Sequence, residues 1–510
     1  MKANECRTKP TCAPETQYDN WKTINWDKVN KRVKLLQQRI VKATKQGRYN
    51  KVKSLQWLLV HSFDAKLLAV KRVTENTGGY TAGIDGELWY PSKKLQAAKS
   101  LTRKGYKAKP LKRVYIPKKN GKKRPLGIPT IYDRAMQALY LLALDPVSET
   151  TADNCSYGFR PKRGCADAIA RCFVTQAGGN RAEWVLEGDI KGCFDHISHD
   201  WILQNIPLDK MALKQWLKAG FIDKKKLFPT EEGTPQGGII SPTLANMVLD
   251  GLAKTLDDEF NIKTCKDGMR HRNKYKINLV RYADDFIVTG KDKEVLENRV
   301  KPIIENFLTE RGLQLSQEKT HITHIKDGYN FLGQNLRKYT DNGTMLIKPS
   351  KEAVKSIRAK IKKIISNNKT ASAANLIMLL NPVIRGWCNY HRHVVSAETF
   401  YSLDSYIWTC IWKWATRRHP KKGKKWVAKK YFKTSFYSKW VFYGRTRGEK
   451  GKDVHLVKAC KTNIVRHVLI KGAANPYDPE WNDYFIKRER LNKGRKTILA
   501  KQISKHKVAG

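Results

Sequence analysis

The sequence predicts an α+β protein, and two features of its hydrophobic pattern carry that prediction. Between about residues 100 and 350, short apolar runs typical of strands, such as RVYIP and EWVLEGDI, alternate with helical stretches such as ADAIARCFVTQ. On either side the pattern is helical only, with apolar residues every three or four positions from Trp21 to about Val73 and again from about 350 to 418. We therefore expect a mixed centre of sheet and helix between two helical regions.

The composition indicates a polyanionic partner. The 510 residues include 99 Lys and Arg against 46 Asp and Glu, which gives a formal net charge of +53. Such a charge opposes compactness unless a polyanion neutralises it, while 41% hydrophobic residues are enough to form buried cores. Nucleic acid is the expected partner. An anionic membrane surface is the weaker alternative, because no helix combines a basic face with a clean apolar one.

The sequence also indicates a compartment. No apolar run approaches the roughly 18 residues of a membrane span, and the first 20 residues contain no hydrophobic stretch that could act as a signal peptide. The ten cysteines form no C-x-x-C pair, so neither a zinc ribbon nor a disulfide framework is indicated. We expect a soluble, reduced, cytoplasmic protein without a membrane partner, associated with the nucleoid when it is engaged on DNA.

Two adjacent carboxylates are unusual in a chain this basic. Asp284 and Asp285 interrupt the apolar run Val280–Val288, a pattern that predicts two core strands joined by a turn carrying the carboxylates. Asp189 ends another apolar run, WVLEGDI. Three carboxylates at neighbouring strand tips suit a pair of Mg²⁺ ions, which stabilise the attacking and leaving oxygens of a phosphoryl transfer. For Asp284 and Asp285 alone, the alternative is a turn whose charges merely cap a hairpin.

The order of the motifs shows which family the chain resembles. YADD at 282–285 resembles the palm motif of reverse transcriptases encoded by bacterial group II introns. Seven further blocks resemble that family's blocks and follow its order: TAGIDG (81–86), RVYIPKKNGKKRPLGIPTIYDRAMQ (113–137), SYGFRPKRGCADAI (156–169), GDIKGCFDHI (188–197), GTPQGGIISPTLANMVLD (233–250), GLQLSQEKT (312–320) and FLGQNL (331–336).

The resemblance implies a right-hand polymerase with fingers, a palm built on a mixed sheet, an all-helical thumb and a basic C-terminal DNA-binding appendage. The expected division has four parts: a helical N-terminal extension (1–100), fingers and palm (101–350), a thumb or maturase domain (351–420), and a basic DNA-binding domain (421–510). The last part holds 25 Lys and Arg against 6 Asp and Glu, interleaved with aromatic residues. A merely solvated basic tail is the alternative for it.

Metal-binding roles follow from the resemblance. Asp189 and Asp284 are implied as direct ligands of two Mg²⁺ ions, with the carbonyl of Ile190 as a further ligand. Asp285 belongs to the same catalytic set, and whether it ligates or orients is left open. Lys319 is expected to lie near this site and to add positive potential.

Nucleotide-binding roles are implied in the same way. Lys118 and Arg124 correspond to the cationic clamps on the triphosphate, and Gln236 would lie near the incoming nucleotide. The glycines after Gln236 would let backbone approach a base pair closely. Phe194 corresponds to an aromatic residue that crowds the sugar 2′ position and so selects deoxynucleotides. A buried core Phe is the alternative reading.

In the thumb and the basic region, aromatic residues and cations are expected to separate. Trp408 and Trp412, four positions apart, are expected in the core. Six basic residues are expected to face a nucleic-acid backbone: Arg385, Lys413, Arg417, Arg418, Lys429 and Lys430. The pairs His196/His199 and His321/His324 have a spacing that suits a metal on a helix, and we interpret them as surface or core histidines.

The implied function is RNA-directed DNA synthesis from a DNA primer on an RNA template, joined to binding of a group II intron RNA as a maturase. Splicing and retrohoming into target DNA would follow. The alternatives are a host-adapted reverse transcriptase in defence or repair and a splicing-only, RNA-binding maturase. Family members often end in an H-N-H nuclease with two C-x-x-C pairs, which this sequence lacks, so second-strand DNA cleavage is not expected. Whether the chain is truncated or its lineage lacks the nuclease is left open, as is a homodimer.

Overall fold

The computed structural model describes residues 20–117, 121, 123–264, 270–271, 273–339, 344–435, 438–446 and 451–492. The first 19 residues and Lys118 lie outside these residues. Within them, no helix has the length and apolar character needed to cross a membrane.

Helices predominate up to about residue 100 and again from Lys351 to Tyr431; most strands lie between these two regions, and three more follow Tyr431. The helices are α1 (Trp26–Lys45), α2 (Tyr49–His61), α3 (Phe63–Thr74), α4 (Lys94–Ser100), α5 (Ile131–Thr151), α6 (Cys165–Gln176), α7 (Cys193–His196), α8 (His199–Asn205), α9 (Lys210–Leu217), α10 (Ser241–Leu249), α11 (Leu252–Glu259), α12 (Lys293–Val295), α13 (Lys301–Thr309), α14 (Lys351–Asn367), α15 (Ala373–His391), α16 (Ala397–Arg417) and α17 (Lys424–Tyr431). The strands are β1 (Leu111–Pro117), β2 (Lys123–Ile128), β3 (Trp184–Gly188), β4 (Phe221–Asp223), β5 (Lys226–Phe228), β6 (Lys263–Thr264), β7 (Arg270–His271), β8 (Asn278–Tyr282), β9 (Asp285–Gly290), β10 (His321–His324), β11 (Tyr329–Phe331), β12 (Gln334–Lys338), β13 (Met345–Pro349), β14 (Phe432–Ser435), β15 (Ser438–Arg445) and β16 (Asp453–His455).

The central sheet has the strand order β10-β3-β9-β8, with every neighbouring pair antiparallel. Both of its faces are buried. Leu186 and Val288 face the core shared with α1–α5, whereas Val185 and Ile287 face a second core that also contains residues of α6 and β11–β13. Because neither face meets water, the strands read as continuous apolar runs rather than as an alternating pattern.

A second sheet, of strand order β2-β1-β4-β5, forms the fingers side. Strands β1 and β2 pair antiparallel from Lys112↔Ile128 to Pro117↔Lys123, and β1 also pairs parallel with β4. The N-terminal helices support this side, because α1, α2 and α3 all pack on the long helix α5. That helix is capped by the hydroxyl of Thr130, which accepts a hydrogen bond from the Asp133 backbone N–H.

Later in the chain, after β13, helices α14, α15 and α16 enclose a separate core that includes Ile361, Leu380 and Ile407. The basic C-terminal region joins this core through α17 and the three-stranded sheet β14-β15-β16, with Val427 and Phe442 buried in it. The thumb helices are therefore built together with the chain that follows them.

The prediction that Trp408 is a core residue is wrong. Its side chain is 42% exposed, while Trp412 is half-buried. The core of α16 is formed by residues such as Phe400, Leu403 and Ile407 on a neighbouring face of the helix, and β15 covers the tryptophan face only in part.

The last described segment returns to the palm. Asp167, at the start of α6, accepts hydrogen bonds from the Ile470 backbone N–H at 2.9 Å and from the Arg488 guanidinium at 2.7 Å, and it pairs with His467 at 2.8 Å. Burial opposes ionisation of Asp167, but these partners lower the pKa of its carboxyl group below the usual value. The basic region is thus tied to the back of the palm sheet.

Candidate active site

Strands β8 and β9 form the hairpin predicted from the apolar run around the carboxylates. Their register pairs Tyr282 with Asp285, which leaves Ala283 and Asp284 as a two-residue turn. Ala283 has φ of +58°, in the left-handed region that a tight hairpin turn requires at its first position. Asp284 is therefore at the tip and Asp285 begins the returning strand.

The SYGF block supports this turn from below, a role that the sequence reasoning missed. The backbone N–H of Tyr157 donates to the Arg281 carbonyl at 2.9 Å, and that of Arg281 donates to the Cys155 carbonyl at 3.0 Å. An added Cβ on Gly158 would lie 2.3 Å from the backbone nitrogen of Ala283. Only glycine permits this approach, so the block holds the carboxylate turn in place.

Arg281 is a second positioning residue that was missed. Its side chain is fully buried beneath the hairpin, where the guanidinium forms an ion pair with Asp250 and donates to the Asn246 side chain at 3.2 Å. A buried charge is tolerated only with such partners. The signal in the sequence was a charged residue inside an otherwise apolar strand.

Asp189 reaches the same place from β3, the strand beside β9. The register pairs Gly188 with Phe286, so the residues that follow β3 and precede Phe286 are neighbours. The Asp189 carbonyl accepts from the Ser316 backbone N–H at 2.8 Å. Its carboxylate accepts from the Lys319 ammonium at 2.7 Å. The expectation that Lys319 lies near the carboxylates is confirmed.

The surroundings of Asp284 and Asp285 disfavour their ionised forms. Partial burial and the charges of Asp284 and Asp189 raise the pKa of Asp285 to about 6. The pKa of Asp284 is also raised, by burial and by Asp189, although its own backbone N–H, Arg124 and Lys319 oppose the shift. In turn, the hydrogen bond to Asp189 raises the pKa of Lys319. Added cations would favour the ionised forms of Asp284 and Asp285.

The donor set fits divalent cations of the hard, oxygen-preferring kind. The side chains offer carboxylate oxygens, and Ile190 adds a backbone carbonyl at the wall of the same cleft. As the side chains stand, no group of three or more His, Cys, Asp or Glu in the described part of the chain is arranged to hold a metal ion. Asp189 is turned to Lys319 instead.

The histidine pairs do not form a zinc site. His196 pairs with Glu232 at 2.8 Å, and His199 bonds the Gly233 carbonyl at 2.7 Å. His321 and His324 are on strand β10 rather than on a helix.

The fingers bring a cation to the carboxylates. Arg124 is exposed on β2 and lines the same cleft as Asp189, Asp284 and Asp285, which has a volume of about 1080 Å³. The position of Lys118, its expected companion, lies outside the described residues.

Gln236 also lines this cleft, and two contacts hold it there. Its side-chain amide donates to Asp195 at 3.3 Å, and its backbone carbonyl accepts from the Gly127 backbone N–H at 2.8 Å. The glycine that follows, Gly237, has φ of +126°, and a Cβ on it would lie 2.6 Å from the Gly127 carbonyl oxygen. The close approach seen here is therefore to the fingers strand, whereas the sequence suggested an approach to a base pair. Asp195 was not singled out from the sequence.

Phe194 lies at the wall of the cleft, half-buried, with its ring edge-on to Phe159 at 6.3 Å. One part of the ring packs on the core and another part faces the cleft. The two readings of Phe194, a sugar gate and a core residue, are thus compatible in one side chain.

Most of the basic residues expected to contact nucleic acid are exposed. They are Arg385, Lys413, Arg417, Lys429 and Lys430. Arg418 is different, because its guanidinium donates to the carbonyls of Lys369 at 2.6 Å and Ala371 at 3.0 Å and lies over the Trp414 ring at 4.6 Å. Arg418 thus ties the end of α16 to the loop after α14, and its contact with a nucleic-acid backbone stays a prediction.

The cleft lies between fingers and palm and is lined by three acidic residues on adjacent strand ends and by a cation from the fingers. These features define the class of the right-hand polymerases, which transfer nucleotides to a primer.

Comparisons with known proteins narrow this class. Residues 116–336 match the family described as reverse transcriptase (RNA-dependent DNA polymerase), residues 21–101 the N-terminal domain of reverse transcriptase, and residues 354–432 the group II intron, maturase-specific domain.

Individual proteins are also similar to this chain. Protein YkfC of Escherichia coli is 33% identical over 55% of this chain and 83% of its own length. The group II intron-encoded protein LtrA of Lactococcus lactis is 30% identical over 64% of this chain and 68% of its own length. A solved structure of telomerase from Candida albicans aligns over 66% of this chain and 68% of its own at 12% identity, with a TM-score of 0.35, which is too low to establish a shared fold.

The chain therefore belongs to the family of group II intron-encoded reverse transcriptase/maturases. It is an RNA-directed DNA polymerase that also carries the maturase function in intron splicing, and RNA is among its partners. The predicted right-hand polymerase fold is confirmed. Nucleotidyl transfer of this kind generally depends on a divalent metal.

Proposed function

We propose that Asp189, Asp284 and Asp285 form the catalytic centre of DNA synthesis and would hold a pair of Mg²⁺ ions, with the carbonyl of Ile190 as a further ligand. The observation that carries this is the meeting of the three carboxylates, from adjacent strands, in one cleft with Arg124. Two bound cations supply charge stabilisation to the attacking and leaving oxygens of phosphoryl transfer. The raised pKa values of Asp284 and Asp285 support the proposal, because bound cations would stabilise the ionised carboxylates against the burial and repulsion that raise these values.

The remaining lining residues would position the incoming deoxynucleotide. Arg124, with Lys118, would hold the triphosphate, since cations there offset the charge on the transferring group. Phe194 would leave no room for a 2′-hydroxyl. Gln236 would contact the nucleotide, with Asp195 fixing the orientation of its amide through the bond between them. Lys319 would compete with the cations for Asp189, because its ammonium group already donates to that carboxylate.

The partners follow from the same arrangement. An RNA template and a DNA primer would occupy the cleft between fingers and palm. A group II intron RNA would bind the exposed cations of the thumb and the basic region, and target DNA for retrohoming would bind the latter. The chain would divide into an N-terminal extension (1–100), fingers and palm (101–350), thumb (351–420) and DNA-binding domain (421–510).

Primer extension tests the proposed centre. The wild type should extend a DNA primer on an RNA template with Mg²⁺ and deoxynucleotides, and Asp284→Ala should abolish extension while its RNA affinity stays within about threefold, because the change removes a metal ligand and no phosphate contact. Asp200→Ala, an exposed carboxylate outside the cleft, should extend normally. Primer extension by Asp284→Ala would contradict the assignment. So would a loss of RNA affinity in this variant well beyond about threefold.

A further inference from the structure

The thumb carries a groove that has no part in the polymerase cleft. It lies between α16 and β15, has a volume of about 420 Å³, and shares no lining residue with the cleft. We call it the thumb groove and define it by Tyr401, Trp408, Phe432, Trp440 and Lys458.

The aromatic rings of this groove form an open stack. Trp408 lies on Trp412 with ring centroids 5.6 Å apart and planes 7° from parallel, and Trp440 meets both rings edge-on, at 6.5 and 6.0 Å. The Trp408 side chain is nevertheless 42% exposed, that of Trp440 47% and that of Tyr401 63%. Parallel rings with an exposed outer member offer a platform on which another flat ring can stack.

The backbone at Trp440 adds a second observation. Trp440 has φ of +64°, a conformation that bulky side chains rarely adopt. Such strain persists only where the surrounding structure holds it, and it is found more often at binding sites than elsewhere. Here it directs a large aromatic ring to the rim of the groove.

The charges around the thumb groove favour an anionic partner. Lys458 is the one Lys or Arg among the described residues that line it. The one carboxylate among the lining residues, Asp404, accepts the backbone N–H groups of Ala459 at 2.7 Å and Cys460 at 2.9 Å. Its charge is therefore partly offset by these donors.

We infer that the thumb groove binds an unpaired RNA base, stacked on the outer face of Trp408, with Lys458 beside it at the groove wall. A flat ring continues the parallel stack, and an aromatic platform beside a cation suits single-stranded nucleic acid. A paired duplex keeps its bases inside and cannot use such a groove. The inference rests on the RNA-binding role of the thumb and specifies which part of an RNA the thumb recognises.

Binding of short RNAs to the full chain tests this inference. The probes are a labelled single-stranded 12-nucleotide RNA and an abasic ribose-phosphate strand of equal length, measured by fluorescence anisotropy at several salt concentrations. Trp408→Ala and Trp440→Ala should each weaken binding of the base-bearing strand about tenfold, which is the order that stacking on one aromatic ring supplies. Their affinity for the abasic strand and their salt dependence should match the wild type, because no phosphate contact is lost.

Two further variants sharpen the comparison. Trp408→Tyr keeps an aromatic platform and should retain most of the affinity. Trp57→Ala is the matched control, because Trp57 is 61% exposed on α2 and stacked on His61, far along the chain from the thumb, and it should bind both probes normally. Wild-type binding of the abasic strand by Trp408→Ala also shows that this variant is folded.

Three results would overturn the inference: unchanged affinity in both alanine variants, an equal loss on the abasic strand, or a change in self-association by sedimentation, which would assign the groove to a second copy of the chain. The same binding measurements in an Asp284→Ala background separate this inference from the proposed catalytic centre. In that background, primer extension should be absent while RNA binding still depends on Trp408.

Discussion

Phe194 shows how a single side chain can serve both packing and selectivity. Its ring is half-buried, packed on the palm core and edge-on to Phe159, and it still reaches the cleft that contains the three carboxylates. A ring held from two sides cannot move aside when a larger sugar enters. Rigidity from packing would therefore make its bulk effective against a 2′-hydroxyl.

Replacing Phe194 by Ala should admit ribonucleotides. The preference for deoxynucleotides over ribonucleotides, measured as a ratio of kcat/KM in primer extension, should fall by about tenfold or more, since sterics at one pocket wall provide discrimination of that order. Phe173→Ala, on α6 and outside the residues that line the cleft, serves as the control. Unchanged sugar discrimination in Phe194→Ala would contradict the gate.

His391 is a second residue whose environment gives a measurable consequence. It is buried at the junction of thumb and β12, where its ring contacts Trp387 and its Nδ1 lies 3.1 Å from the Gln334 side-chain oxygen. Burial and the charge of His393 lower the pKa of His391 to about 4, and burial and the charge of His467 lower that of His393 to about 4.

These lowered values predict a loss of stability in mild acid. Between pH 6.5 and 4, the histidines of the unfolded chain become protonated while the buried histidines of the folded chain stay neutral. The free energy of unfolding should therefore fall as the pH falls, by up to about 1.4 kcal/mol per pH unit for each histidine. His391→Gln should remove about half of the slope due to this pair. Denaturant unfolding across this range measures it, and an unaltered slope in the variant would count against the prediction.

At the scale of secondary-structure elements, the turn that carries Asp284 depends on a segment more than a hundred residues earlier in the chain. Residues 155–157 run along β8, and Gly158 lies directly beneath Ala283. The β8–β9 hairpin is thus supported along its outer edge, at β8. The positions of Asp284 and Asp285 are set by this contact as well as by the hairpin itself.

Two glycines in the same block give a matched test of that support. Gly158→Ala places a Cβ 2.3 Å from a backbone nitrogen that cannot yield easily, so it should displace the turn, cost about 1–3 kcal/mol of stability and lower primer extension about a hundredfold. Gly164→Ala meets nothing within 4 Å and should remain near wild type in both assays. Normal extension by Gly158→Ala would show that the turn does not rely on this contact.

At the scale of the whole molecule, the net charge of +53 is divided between cations that hold the fold together and cations that are left for a polyanion. Arg281, Arg160 and Arg418 are tied to protein partners, whereas Lys413 and Arg417 are exposed. Arg417 and Arg418 are adjacent in the sequence, yet they fall into different groups.

Salt-dependent RNA binding should separate these groups. Lys413→Ala and Arg417→Ala should each reduce the slope of log Kd against log salt concentration by about 1, as expected for loss of one phosphate contact. Arg418→Ala should leave the slope unchanged and lower the melting temperature, because it breaks the bonds to Lys369 and Ala371. A reduced slope in Arg418→Ala would instead support its predicted role in nucleic-acid contact.

The sequence by itself determined the class of fold, the hairpin that carries Asp284 and Asp285, the helical thumb and the family. Each of these is written in a continuous stretch of chain: an apolar run broken by two carboxylates, a helical period, or an ordered motif. Hydrophobic pattern and turn chemistry act between near neighbours in the chain, so they can be read without a structure.

Only the tertiary structure decided the support of the turn by Gly158, the bond between Asp195 and Gln236, the structural use of Arg418 and the exposure of Trp408. Each depends on which distant segment packs against the residue. A helical stripe of tryptophans indicates burial, for example, but β15 covers that of α16 only in part. Contacts between segments far apart in the sequence decide whether a cation is left for nucleic acid or is bound to a protein carbonyl. They also decide whether an aromatic ring is covered.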